Sequence, residues 1–370
     1  INEWNGYWKF DRSEKKTGLD EILEGMTLND FHAPVYLSTG VEICRTVRGG
    51  EKIDIPLFIS SFTSDDYGED IIVEYELSHT NYIAEERVIK SDNFRIKYQP
   101  WMQKGITPLK LLMPNYSGLS KLTFKLKTLD NKILHRNFMH FEVNSNEKLK
   151  NVEVVSLPAN EFSNSDWTKK RWNVLNGKKV NGAGSGFFEY KIKIPENFID
   201  INFKEAYFIF EASAKKLFDK DKIGEDYVDA GMDWMRGSIV SPSKNPNSYP
   251  MTDEILFPSK IKISVNGNSK KRITLLDDPA DHRGVLSWHN QITSSFKSTD
   301  DDFWSNQPKL NEAGSYGYLI KVPITNDELI SYIKKGNLTI RIETEGDGGI
   351  AIYGKSFGRY PINPSLVIKK

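Results

Sequence analysis

From Val35 to about Val143 the chain alternates apolar and polar residues with a period of two. Ile53, Ile55, Leu57 and Ile59 share one face against Asp54, Pro56, Phe58 and Ser60. Leu122, Phe124 and Leu126 alternate with Thr123, Lys125 and Lys127. Such alternation predicts half-buried antiparallel strands, and Pro56 predicts an edge or a bulge within its strand. Ahead of them, Leu19, Ile22, Leu23 and Met26 stand at helical spacing and predict one short helix over Gly18–Asn29. Ala33-Pro34 then turns the chain to an extended course.

The polar run Asn144-Ser145-Asn146-Glu147-Lys148 reads as a linker. Beyond it the strand pattern resumes in Phe188, Tyr190, Ile192 and Ile194, and again in Leu338, Ile340 and Ile342. Ile261, Ile263 and Val265 lead into Asn266-Gly267, the strongest short hairpin signal. Asn326–Lys335 reads as a second helix, and Asp219–Asp253 as an unusually long loop rich in Gly, Pro, Ser and Asn. The expected fold is all-β: an immunoglobulin-like β-sandwich over 35–146, followed by a jelly roll over 147–370.

Composition narrows the function without naming it. The 370 residues carry 50 Lys plus Arg against 50 Asp plus Glu, so no basic footprint of a nucleic-acid binder is present. A single cysteine, Cys44, excludes an internal disulfide and a cysteine-based zinc site. No apolar run reaches the length of a membrane span. The first residues, Ile1-Asn2-Glu3-Trp4, lack a Met, so the chain is expected to be cut from a longer one and its start says nothing about export. Residues 1–34, with Trp4, Tyr7, Trp8 and Phe10, are expected to pack poorly on their own.

Several motifs fail on their context. Gly354-Lys355-Ser356-Phe357-Gly358 spells a nucleophile elbow, but no His follows it and its surroundings are strands. Gly182-Ala183-Gly184-Ser185-Gly186 leads into a strand, not a helix, so it is expected to be a turn and not a phosphate cradle. The acidic run Asp219–Asp226 lacks the third ligand and distal Glu of a calcium loop; a structural calcium there is the one cofactor with any support, and otherwise none is expected. His135 and His140, five apart on a strand, face opposite ways and make a poor metal pair. No pair of carboxylates stands out as acid and base.

Three stretches combine aromatic and polar residues: Asp233-Trp234-Met235-Arg236 with Asn245–Asp253, Asp278–His289, and Gly358-Arg359-Tyr360-Pro361. Trp and Tyr stack on the C–H faces of sugars, while Arg, His, Asn and Asp bind their hydroxyls. The C-terminal domain is therefore expected to bind carbohydrate through Trp234, Arg236, Tyr249, Trp288 and His289. The competing reading is that these residues order long loops.

The segments NPNSYPMTDEILFPSKI (245–261), DDPADHRGVLSWHNQ (277–291) and GGIAIYGKSFGRYPINPSL (348–366) resemble the C-terminal region of bacterial family 2 glycoside hydrolases, the β-galactosidase-like family. INEWNGYWKFDRSEKK (1–16) resembles the end of that family's catalytic barrel, and LNDFHAPVYLST (28–39) the run from barrel to sandwich. The resemblance implies that residues 1–34 are a barrel remnant and 147–370 a galactose-binding-like domain. It also implies that the catalytic carboxylates lie on barrel strands absent here, so the chain itself is expected to have no catalytic residue. Its partners would then be the rest of the parent chain and an oligosaccharide or polysaccharide, with the bacterial periplasm or cell surface favoured. Two alternatives stay open: an interaction domain that never touches sugar, and an autonomous all-β carbohydrate-active enzyme.

Overall fold

The computed structural model describes residues 19–41, 43–174, 177–193, 203–217, 258–276, 317–355 and 357–370. Among these the chain is all-β in class, with helix confined to short stretches. It divides into two compact units, Thr17–Leu149 and the described residues from Lys150 to Lys370.

The described residues of the N-terminal unit form eight strands: β1 (Val35–Thr39), β2 (Cys44–Arg48), β3 (Lys52–Ser61), β4 (Asp70–Asn81), β5 (Glu86–Lys97), β6 (Gln103–Leu112), β7 (Gly118–Lys127) and β8 (Ile133–Asn144). They form a three-stranded sheet, β1-β3-β6, and a five-stranded sheet, β2-β8-β7-β4-β5. Both sheets contribute to one apolar core, with Leu57 and Ile59 from the first and Tyr75, Phe124 and Phe141 from the second. The alternation read from the sequence is the burial pattern of β3, whose odd residues Ile53 to Ile59 are buried. Pro56 resolves to a bulge, since the β3–β6 register shifts between Ile55 and Leu57 on a central strand. β1 is held from its other side by side chains of β8. The Leu37 N–H donates to His135 Nδ1 (3.0 Å), and the Asn137 amide donates to the Leu37 carbonyl (2.8 Å).

The expected single helix over Gly18–Asn29 is shorter than its spacing suggests. Among the described residues helix α1 covers Leu19–Ile22, Gly25 takes a left-handed φ of 73°, and a 3-10 turn follows at Leu28–His32. That turn starts at a capping box in which the Thr27 side chain accepts from Asn29 and Asp30 Oδ2 accepts from the Thr27 N–H. The expectation of poor packing fails for this part. Leu19, Ile22 and Met26 are buried, and Asp30 holds both the backbone N–H and the guanidinium of Arg136 on β8. Trp4, Tyr7, Trp8 and Phe10 lie outside the described residues.

In the C-terminal unit the described strands are β9 (Val152–Ser156), β10 (Asn164–Trp167), β11 (Lys170–Val174), β12 (Lys179–Ala183), β13 (Gly186–Lys193), β14 (Glu205–Ser213), β15 (Ser259–Val265), β16 (Asn268–Leu275), β17 (Tyr318–Ile324), β18 (Asn337–Thr344), β19 (Ile350–Tyr353) and β20 (Ser365–Lys369). One sheet runs β10-β13-β18-β15-β16. The other runs β11-β12-β19-β14-β20-β9, with β17 also on β14. Both line a second apolar core containing Phe188, Tyr190, Ile263, Ile340, Phe208, Phe210 and Ile352. Asn266 (φ 46°) and Gly267 (φ 85°) turn β15 into β16 as a hairpin, and α2 spans Asn326–Lys335, both as the pattern predicts.

The glycine-rich run 182–186 is the turn from β12 to β13, and it serves packing. A Cβ on Gly182 would lie 2.0 Å from the Trp167 indole, and one on Gly186 2.6 Å from it. The two glycines let that ring lie against bare backbone and against Phe188 (ring centroids 5.0 Å). Gly182→Val is expected to lower the stability of this unit by about 1–3 kcal/mol through overpacking. Urea denaturation with Trp fluorescence checks it, and an unchanged midpoint counts against the packing role.

Candidate functional site

The most chemically loaded place among the described residues lies on β14, in the run Glu205–Ser213. Phe208, Phe210 and Ala212 point into the core shared by the two sheets. The opposite face carries Glu211, which is also fully buried. β14 is flanked on one side by β17 and on the other by two strands end to end, β20 beside Glu205–Ile209 and β19 beside Glu211–Ser213. The chain leaves the sheet between those two strands, over 354–364. Glu211 gathers both sides. Its Oε1 accepts from the N–H of Gly317, just before β17 (2.7 Å), and from the N–H of Arg359 (2.9 Å). Its Oε2 accepts from the N–H of Tyr360 (2.9 Å). Gly358 is required by this approach, because a Cβ there would fall 2.3 Å from Oε2. Burial pushes the Glu211 carboxyl up to about 7, against the pull of the three N–H groups and the Arg359 guanidinium.

Beside Glu211 the same sheet carries cations set over aromatic rings. Lys179 Nζ, on β12, sits 4.7 Å from the Tyr353 ring and 5.3 Å from that of Phe357. The Tyr353 hydroxyl pairs with Ser213 Oγ at 2.9 Å. At the sheet edge, Lys170 and Lys215 lie 5.2 and 5.8 Å from the half-buried Trp172 ring. Contacts of this kind favour a cation in a poorly solvated place. The arrangement can hold charge and fix backbone, but Glu211 has both oxygens engaged by main-chain donors.

Of the three aromatic-polar stretches, only Gly358-Arg359-Tyr360-Pro361 is described. It is brought to Glu211 through its backbone, and the Arg359 guanidinium lies 5.5 Å from the Tyr360 ring. Trp234, Arg236, Tyr249, Trp288 and His289 lie outside the described residues, as does the acidic run Asp219–Asp226. The 354–358 segment follows a strand and contains a turn, with Phe357 buried against Tyr353. His135 and His140 are both buried in the N-terminal unit, the first facing Leu37 and the second beside Phe138 (5.3 Å). Among the described residues no group of three or more His, Cys, Asp or Glu is placed to hold a metal, and no helix is long and apolar enough to cross a membrane. Glu211 was missed in the sequence. The available signal was one acid inside the otherwise apolar run Ala206–Ala212.

No protein-family model and no curated protein matches the chain. Among solved structures it is similar, at 13% identity, to Pseudomonas fluorescens alkylpurine DNA glycosylase AlkC bound to DNA containing an abasic site analog, over 30% of this chain and 31% of that one, with a TM-score of 0.22. The chain thus spans less than a third of that protein. It is similar at 9% identity to a CARDB domain from Pyrococcus furiosus in complex with di-metal ions, over 30% of this chain and 89% of that one, with a TM-score of 0.21. At such scores neither likeness bears on fold family or function.

Proposed function

We propose that this chain is a non-catalytic, carbohydrate-binding part of a larger family 2 glycoside hydrolase. In this reading Thr17–Leu149 contains an immunoglobulin-like sandwich and the later residues a galactose-binding-like jelly roll, which together support the parent's catalytic barrel. Sugar contact in the C-terminal domain falls to Trp234, Arg236, Tyr249, Trp288 and His289. The resemblance of 245–291 and 348–366 to that family motivates the proposal. The observation that carries its non-catalytic half is the commitment of Glu211. A glycosidase needs one carboxyl to give a proton and a second to attack or to activate water. The one fully buried carboxylate described here instead spends both oxygens on three backbone amides.

The test is turnover. The chain is expected to hydrolyse no aryl β-galactoside, mannoside or glucuronide between pH 5 and 7. Turnover that a single Asp or Glu substitution in this chain abolishes overturns the proposal. Retention on immobilised polysaccharide, weakened by Trp234→Ala or Trp288→Ala without a change in melting temperature, supports its binding half.

A further inference from the structure

The N-terminal unit has a feature that packing does not account for. Trp101 is 67% exposed, yet it stands at φ 55°, a left-handed conformation that a bulky residue rarely adopts. It follows Pro100 in the turn between β5 and β6, where Gly or Asn is the usual occupant. The chain therefore holds a large ring in solvent at a position where glycine is favoured. Strain of this kind gathers at functional places.

Trp101 is not alone. The β3–β6 pairing of Ser60 with Gln103 continues through the Ser61 N–H, which donates to the Met102 carbonyl at 2.7 Å. Phe62, 66% exposed, follows Ser61 at the end of β3, and its own N–H donates to the Pro34 carbonyl at 2.8 Å. Phe58 and Ser60 share the face of β3 turned away from the core residues Leu57 and Ile59, and Phe62 comes one residue past the strand's end. The Phe58 ring, 41% exposed, lies beside two glycines, since a Cβ on Gly40 would meet it at 2.4 Å and one on Gly105 at 3.6 Å. From Phe58 to Phe62 is about 13 Å of extended chain, more than one pyranose ring. The turn is fixed to the neighbouring loop by Tyr98, whose hydroxyl donates to the Asp65 carbonyl at 2.8 Å and lies 3.2 Å from Ser61 Oγ.

We infer that this outer face of the β1-β3-β6 sheet is a carbohydrate-binding platform for an extended oligosaccharide, with Trp101, Phe62 and Phe58 stacking on successive sugar faces. The choice of occupant follows from what separates the rings. The register partners of Phe58 and Ser60 are Gly105 and Gln103 of β6 and Ser38 and the half-buried Tyr36 of β1, which offer bare backbone, amide and hydroxyls and no aliphatic side chain. A protein partner favours a contiguous apolar patch. Separate aromatic faces interleaved with hydrogen-bonding groups suit the C–H faces and hydroxyl rims of sugars. The inference rests on the proposed carbohydrate-binding role but assigns a different surface from the C-terminal loops.

The test reads each surface separately. The full chain is labelled with 5-fluorotryptophan, and the Trp101 resonance is identified by its loss in Trp101→Gly. Oligosaccharides from galactan, mannan, xylan, β-glucan and polygalacturonate are then titrated in. At least one is expected to shift the Trp101 resonance saturably, and Phe62→Ser to weaken that response about tenfold. Trp101→Gly is expected to leave the melting temperature unchanged or raise it, because it relieves the left-handed strain. Shifts confined to Trp234 and Trp288 overturn this platform and leave the proposed function standing. No shift at any Trp overturns both. A Trp101 shift that follows protein concentration without sugar assigns the face to self-association and overturns the inference, as does a fall in melting temperature in Trp101→Gly.

Discussion

Glu211→Ala is expected to be among the most damaging single substitutions in the C-terminal unit, costing about 4 kcal/mol. The figure comes from what is left behind. Three backbone N–H groups, of Gly317, Arg359 and Tyr360, lose their acceptor at a place closed to water. A buried donor stranded in this way costs about 1–3 kcal/mol. The buried Arg359 also loses the weak attraction of this carboxyl. These losses overlap and do not add. Glu211→Gln is expected to cost less, about 2 kcal/mol. Its remaining carbonyl oxygen still serves Gly317 and Arg359, but its amide group then faces the Tyr360 N–H, donor against donor. Native-state amide exchange followed by mass spectrometry reads this directly. Protection in peptides covering 317–324 and 357–364 should fall in the order wild type, Gln, Ala. Equal protection in all three would falsify the view that Glu211 ties β17 and the 354–364 excursion to β14.

This carboxylate also marks where the sequence stops being readable. Strands exposed on one face write their burial into alternate residues, so β3, β13 and β18 were legible as strands with the right face inward. β14 is buried on both faces, and its run Glu-Ala-Tyr-Phe-Ile-Phe-Glu-Ala-Ser carries no alternation to separate a core position from a polar junction. The first helix misled for a different reason. Leu19, Ile22, Leu23 and Met26 keep helical spacing and are all buried, but Gly25 breaks the helix and the Thr27–Asp30 capping box begins a new turn. Composition likewise pointed toward Trp and Tyr in long polar loops. The exposed pair Phe62 and Trp101 sits at a strand end and in a tight turn, where an aromatic normally packs inward. The signal for it was the dipeptide Pro100-Trp101, with a bulky ring where the turn asks for glycine.

The two units are expected to respond to acid in opposite directions between pH 7 and pH 5. In the N-terminal unit, burial lowers both His79 and His135 to about 4. Each is neutral when folded. His79 Nδ1 pairs with Ser120 Oγ at 2.9 Å, and His135 Nδ1 accepts the Leu37 N–H, an acceptance that a proton on that nitrogen ends. Unfolded, both take up a proton near pH 6.5. The unfolded state then binds more protons, so stability falls as the pH drops below 6.5 toward 4. The loss is about 2 kcal/mol for each histidine by pH 5, or about 4 together. Glu211 works the other way. Its folded value of about 7 stands above the ordinary 4.5, so the folded state binds the extra proton in that window. Its contribution is fully present below pH 4.5 and is lost as pH rises through 7, which gives the C-terminal unit about 2 kcal/mol on going from pH 7 to pH 5. Urea titrations at the two pH values, each unit read on its own peptides by pulsed amide exchange, separate these effects. The midpoint of Thr17–Leu149 should fall by more than about 1 M urea while that of the C-terminal unit rises. The double variant His79→Gln, His135→Gln should flatten the first response and leave the second intact. A first midpoint that holds or rises on acidification contradicts the burial of two neutral histidines, and a second that falls contradicts a raised Glu211.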